Sequence, residues 1–273
     1  MKAIIPAAGL GSRFYPVAKS IPKEMLPIGN KPVIQLIVEE ALAAGADEVI
    51  IVTSPEKSAI MHYFTSTPAW LDRVSNKKEV ADSLDELDRI SKSVHFVFQH
   101  KQLGLGHAVL QAAEEMKSEK DPVLVLLGDA LVKSDVPCSC HLVNISREFG
   151  NVSVVGLEQV STEKVSRYGI VGGTPVRENL FKLNQLVEKP ASETAPSNLA
   201  IAGRYLLDPD VFAYLSSCRA GHAGEIQLTD AIQQMLESNP VYGFCYPGTR
   251  FDIGNPAGYR ETLIASTCCS QSK

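Results

Sequence analysis

The sequence carries few specialised marks. It holds one tryptophan in 273 residues and no Cys-x-x-Cys pair. No apolar run comes near the ~20 residues that cross a bilayer, which excludes a membrane-spanning helix. Met1-Lys2-Ala3-Ile4-Ile5 meets Pro6, Gly9 and Gly11 before a secretory apolar region can form. A soluble, cytoplasmic protein with no membrane partner is expected. Cys138, Cys140, Cys218, Cys245, Cys268 and Cys269 are not spaced as a disulfide framework, so reduced thiols are expected. Cys138-Ser139-Cys140-His141 lacks the fourth ligand and the spacing of a zinc site. Charge of one sign is also scarce. The net charge is −5, which disfavours a nucleic-acid partner but leaves room for a few local cations at a phosphate site. A disordered chain is excluded by the 45% hydrophobic and 21% charged residues, enough to bury a core.

What is present alternates between two periods. Short, nearly continuous apolar runs at Lys2–Pro6, Glu48–Thr53, Val94–Gln99 and Pro122–Leu127 predict buried strands. Between them, residues 32–44, 56–64, 69–91 and 107–116 predict helices. The acidic face of Asp82–Asp88 is read as solvated or as a subunit contact, and Trp70 and the tyrosines as packing groups. Further strands are predicted at Val152–Leu157, Tyr168–Gly172, Leu183–Val187, Leu199–Leu206 and Val241–Tyr246. Helices are predicted near Thr162–Val165 and over Glu225–Leu236 and Pro256–Thr267, with a disordered tail from Ser266. The sum is one α/β unit with a Rossmann-like, mixed but mainly parallel central sheet and helices on both faces. No linker or internal repeat divides it.

In such sheets ligands bind beyond the carboxyl ends of the strands. The first strand runs into Ala7-Ala8-Gly9-Leu10-Gly11-Ser12-Arg13, whose glycines allow backbone N–H groups to approach an anion. No Gly-Lys-Ser/Thr follows, so this is not a Walker loop. Phe14 stands where a dinucleotide fingerprint needs its third glycine, which argues against a nicotinamide oxidoreductase. Arg13, Lys19 and Lys23 in one proline-stiffened connection suit a polyphosphate. Gln99 ends the third strand and carries both a donor and an acceptor for a base edge. Asp129 ends the fourth strand, where it serves either as a Mg²⁺ ligand or as a helix cap. No Ser-His-Asp or Cys-His arrangement is apparent. His62, His95 and His222 are read as surface or packing groups, and His107 is left open.

Pro6–Arg13 together with Pro22-Lys23-Glu24-Met25-Leu26-Pro27 resembles the signature of the sugar-1-phosphate nucleotidylyltransferases. Gly104–Val109, Val187-Glu188-Lys189-Pro190, Pro196–Ala200, Gly203-Arg204-Tyr205, Gly224–Ile232 and Phe251–Asn255 extend the likeness in order, to about residue 260. The pattern is most similar to the bacterial uridylyltransferases within that family. The resemblance implies a nucleotide-diphospho-sugar transferase fold and the conversion of UTP and glucose 1-phosphate to UDP-glucose and pyrophosphate, with Mg²⁺. It implies that Ala8, Gly9, Gln99 and Gly104 hold the uracil, with Gly11 in the same loop. Arg13 and Lys23 would hold the β- and γ-phosphates, and Glu24 would reach the nucleotide. Asp129 and Asp252 would bind Mg²⁺. Glu188 and the Gly169 backbone would contact glucose, and Lys189 the sugar phosphate. Residues 1–135 would then be mainly nucleotide-binding, 136–262 mainly sugar-phosphate-binding and oligomerising, and 263–273 a tail. Family members commonly form dimers or tetramers. Many carry a second acid where this chain has Ala130. The alternatives are the same chemistry with dTTP or another sugar 1-phosphate, or a non-catalytic sugar-nucleotide sensor.

Overall fold

The computed structural model describes residues 1–74, 77–221 and 224–269. Nine strands form the central sheet: β1 (Lys2–Pro6), β2 (Glu48–Thr53), β3 (Val94–Phe98), β4 (Val123–Leu126), β5 (Ser153–Gln159), β6 (Gly169–Arg177), β7 (Leu180–Glu188), β8 (Leu199–Leu207) and β9 (Val241–Cys245). Their order is β3-β2-β1-β4-β8-β5-β9-β7-β6, with an extra β8–β6 pairing. The first four strands pair in parallel, as do β5 and β9. Strand β8 runs antiparallel to both β4 and β5, and β7 runs antiparallel to both β9 and β6. Every strand except β8 and β7 therefore points the same way.

Alternation along β1 divides the interior. Ala3 and Ile5 pack on one face of the sheet and Ile4 on the other. Helices α1 (Val33–Ala43), α2 (Ser58–Thr65) and α5 (Cys138–Glu148) cover the first face. Helices α4 (Leu105–Leu110), α6 (Val211–Ser217) and α7 (Leu228–Met235) cover the second. In α1 the buried set Val33, Ile34, Ile37, Val38 and Ala41 follows the helical repeat. Gly45, at φ 93°, lets the chain turn away after it. Burying each large aliphatic side chain is worth roughly 1.5–3 kcal/mol.

Several expectations need correction. The helix over 69–91 is a short 3₁₀ turn at Leu71–Arg73 followed by α3 (Lys78–Ser91), with residues 75–76 outside the described set. The helix over 107–116 is α4 followed by a separate 3₁₀ turn at Glu114–Met116. The helix after Glu225 starts only at Leu228, because residues 225–227 lie extended against the loop before α4. Helix α5 carries the Cys138–His141 segment in its first turn, with Cys138 fully buried. Trp70 is exposed, at 59% of its surface, rather than packed. Helix α8 (Pro256–Cys269) continues into the region expected to be disordered. His222 lies outside the described residues. Among those described, no helix is long and apolar enough to cross a membrane.

A two-stranded ribbon was not foreseen. Ala130–Lys133 pairs antiparallel with Thr249–Asp252, and Ala130 lies opposite Asp252. Arg250 in this ribbon donates through Nε to Glu158 at 2.5 Å and lies 4.5 Å over the Tyr168 ring. Behind it, buried Arg204 forks onto Glu40 at 2.7–3.0 Å and also donates to the Ala130 carbonyl oxygen at 2.8 Å.

Candidate active site

At the carboxyl ends of β1, β3 and β4 lies a cleft of about 460 Å³. Its wall includes Ala8, Gly9, Gly11, Lys23, Glu24, Gln99, Gly104 and Asp129, so eight residues singled out from the sequence converge there. The Gly-rich turn leaves β1 with the Ala7 amide donating to the Val52 carbonyl at 2.7 Å. The amides of Ala8 and Gly9 have no partner among the described residues, which leaves donors at the cleft. Gly128 precedes Asp129 because a Cβ there would stand 2.8 Å from the Pro6 carbonyl oxygen. β1 and the end of β4 can approach that closely only with glycine at this position.

Lys23 sits in a 3₁₀ turn, and its Nζ lies 2.5 Å from Asp129 Oδ2. Burial works against the Lys23 charge, but Asp129, Glu24 and Asp252 hold its pKa above the ordinary lysine value. Burial likewise opposes ionisation of Asp129, and Lys23 outweighs it, lowering the carboxyl pKa. Asp252 reaches the same place through the ribbon. A Cβ on Gly254 would lie 2.9 Å from Asp129 Oδ2 and 3.0 Å from Asp252 Oδ1, so both carboxylates flank one small gap. The Ile253 amide donates to the Asp129 carbonyl at 2.9 Å and the Gly254 amide to Asp252 Oδ1 at 2.9 Å. Two hard oxygen donors at one gap fit Mg²⁺, whose remaining ligands are ordinarily water and phosphate.

Glu24 is almost fully buried, and sequence reasoning missed its partner Lys57. Burial pushes Glu24 up and Lys57 down from their usual values. Lys57 opens α2, far along the chain, and no spacing linked it to Glu24.

The sugar-side residues gather in a second cluster. Glu188 Oε2 accepts from Thr229 Oγ1 at 2.7 Å, and Lys189 Nζ lies 3.1 Å from Glu188 Oε1. A Cβ on Gly169 would stand 3.3 Å from Glu188 Oε2, which brings Gly169, Glu188 and Lys189 together. Lys189 has φ 45°, a left-handed conformation uncommon outside glycine, and such strain gathers at functional sites. The segment 225–229 spans both clusters, with Glu225 on the nucleotide cleft and Thr229 on Glu188. Neither was singled out, although the motif Gly224–Ile232 contains both. Arg13 does not line the cleft. It is exposed and has no ion pair among the described residues.

Residues 2–266 match the Nucleotidyl transferase family. The chain belongs to that family. It is 45% identical over 265 residues to UTP–glucose-1-phosphate uridylyltransferase 1 of Staphylococcus saprophyticus, covering 96% of this chain and 91% of that protein. A Staphylococcus epidermidis uridylyltransferase is 44% identical with the same coverage. Among solved structures, a UDP-glucose pyrophosphorylase complexed with UDP-glucose superposes with a TM-score of 0.87. The two are 35% identical, and the match covers 100% of this chain and 99% of that one. UTP-bound UDP-glucose pyrophosphorylase of Acinetobacter baumannii gives 0.84 at 35% identity, covering 97% and 92%. This nucleotidyl transferase thus has the mixed-sheet fold of those enzymes.

Proposed function

We propose that this nucleotidyl transferase makes UDP-glucose and pyrophosphate from UTP and glucose 1-phosphate. The relatives above support the substrates. The observation in this chain that carries the reading is the meeting of Lys23, Asp129 and Asp252 at the rim of a nucleotide-sized cleft.

A phosphate oxygen of glucose 1-phosphate attacks the α-phosphorus of UTP in line. The new O–Pα bond forms as the bond to the bridging oxygen of pyrophosphate breaks. The nucleophile is already an anion, so no general base is required. Catalysis is then positioning and charge neutralisation. Ala8, Gly9, Gly11, Gln99 and Gly104 hold the base and ribose end, with Glu24 beneath them. Lys23, with Arg13 swinging in from solvent, neutralises the departing β- and γ-phosphates. Glu188 and the Gly169 backbone hold the glucose hydroxyls, and Lys189 screens the incoming phosphate. Asp129 and Asp252 are the residues that would hold Mg²⁺, which supplies charge neutralisation and alignment of phosphate oxygens when bound. Residues 1–135 supply most nucleotide contacts and 136–262 most sugar-phosphate contacts.

The test is pyrophosphate release with UTP, glucose 1-phosphate and Mg²⁺, beside dTTP, CTP and ATP and an EDTA control. Metal-dependent release fastest with UTP is expected. Faster release with another nucleotide overturns the uridylyl assignment, and no release from folded protein overturns the enzymatic one.

A further inference from the structure

His107, in the first turn of α4, does not itself line the nucleotide cleft, but its ring touches Gln99, which does. Gln99 Nε2 lies 2.8 Å from His107 Nδ1 and 3.3 Å from the Gly104 carbonyl oxygen. The Gly104 oxygen can only accept, so the atom between these two partners must be the amide NH₂. Both amide protons are then committed, one to Gly104 and one to His107. The shorter of the ring's two contacts, at 2.8 Å, makes His107 Nδ1 the acceptor of a neutral ring, while Gln111 Nε2, 3.3 Å from His107 Nε2, donates to the His107 carbonyl oxygen at 3.1 Å instead. Burial lowers the His107 pKa, which favours the neutral ring.

The other half of the amide is left over. Gln99 Oε1 has no hydrogen bond among the described residues, yet it is not among their buried unsatisfied atoms. It is therefore open, and Gln99 lines the cleft. Gln99 thus offers the cleft an acceptor and withholds its donor.

We propose that His107 is a positioning residue for base selection, locking the Gln99 amide so that only a base with a ring N–H is accepted. The inference rests on the uridylyl reading above. Uracil carries a proton at N3 for Gln99 Oε1, and the free amides of Ala8 and Gly9 can donate to its carbonyls. Cytosine has a lone pair at N3, which would face the lone pairs of Oε1. A freely rotating amide could turn its NH₂ to that lone pair and admit cytosine. With Gly104 and His107 both accepting, that rotation leaves two acceptors facing the Gln99 oxygen.

The test compares kcat/KM for UTP and CTP, with glucose 1-phosphate and Mg²⁺, in the full chain and in His107→Leu, His107→Ala and His107→Asn. Asparagine keeps an acceptor near the Nδ1 position. Circular dichroism and thermal melting establish folding. His107→Ala only removes atoms from a half-buried site and stands if the leucine variant misfolds. The leucine and alanine variants are expected to lower the UTP:CTP ratio about tenfold, the value of one lost hydrogen-bond preference. His107→Asn is expected to restore most of that ratio. Loss of rate with both nucleotides equally, at an unchanged ratio, overturns the proposal, since that is what a purely structural role produces. A wild-type chain that does not prefer UTP overturns the uridylyl reading instead.

Discussion

Lys57 Nζ lies 2.8 Å from the Ala7 carbonyl oxygen and 2.9 Å from Glu24 Oε2, joining the turn after β1 to the acid beneath the nucleotide cleft. Lys57→Met removes its bonds to Ala7 and to both Glu24 carboxylate oxygens and leaves that carboxyl buried without its partner. Breaking one side of a buried pair costs about 3–5 kcal/mol. Urea unfolding should report a loss of that order, together with a raised KM for UTP. An unchanged midpoint would mean that Glu24 finds another partner.

Lys189→Ala should separate chemistry from nucleotide binding. The side chain belongs to the sugar-side cluster with Glu188 and does not line the cleft that holds Gln99. Turnover should fall about 100- to 1000-fold, as when one preorganised charge donor is removed. Calorimetric UTP affinity should stay close to wild type. A large loss of UTP affinity would place Lys189 on the nucleotide.

Glu40 predicts an acid dependence of stability. Burial opposes its ionisation, but Arg204 and Ser139 overcome this and lower its folded-state pKa. The unfolded chain therefore binds this proton more readily than the folded one. The contribution is complete above the ordinary glutamate range and is lost as pH falls through the lower folded value. Glu40→Gln should be strongly destabilised at neutral pH, by about 3–5 kcal/mol, because Arg204 is left buried with its charge uncompensated. It should also show a shallower loss on acidification, read from denaturation midpoints between neutral and acid pH.

Gly104→Ala should damage the base end of the cleft. The residue has φ 106°, and a Cβ there would stand 2.6 Å from the Ile226 carbonyl oxygen and 2.7 Å from Glu225 Cβ. Segment 225–227 must retreat or the loop must shift, at a cost of about 1–3 kcal/mol. KM for UTP should rise more than KM for glucose 1-phosphate. Equal effects on both would show that the whole segment 225–229 moves as one piece.

Much of the nucleotide half was legible because its signals are local. The apolar run Lys2–Pro6 forms β1 with those same bounds, and the turn residues that follow it occupy the cleft wall. The parallel pairing of the first four strands follows from their apolar runs and the helices between them. Lys57 and Thr229 were not legible, since each meets its partner across a long stretch of chain, and Glu225 reaches the cleft through an extended segment with no periodic pattern. Asp252 was reached only through a family likeness. Its place beside Asp129 depends on the ribbon, whose four-residue strands are too short to show alternation.

That ribbon sets an order of events during synthesis. Ala130 and Asp252 lie opposite each other in it, so the two carboxylates become neighbours only when the later strand pairs with the earlier one. A chain still emerging from the ribosome already carries the Gly-rich turn, Lys23 and Asp129. In that unfinished state the second acid has not been made. The proposed pair of metal-holding acids is therefore incomplete until translation has passed residue 252.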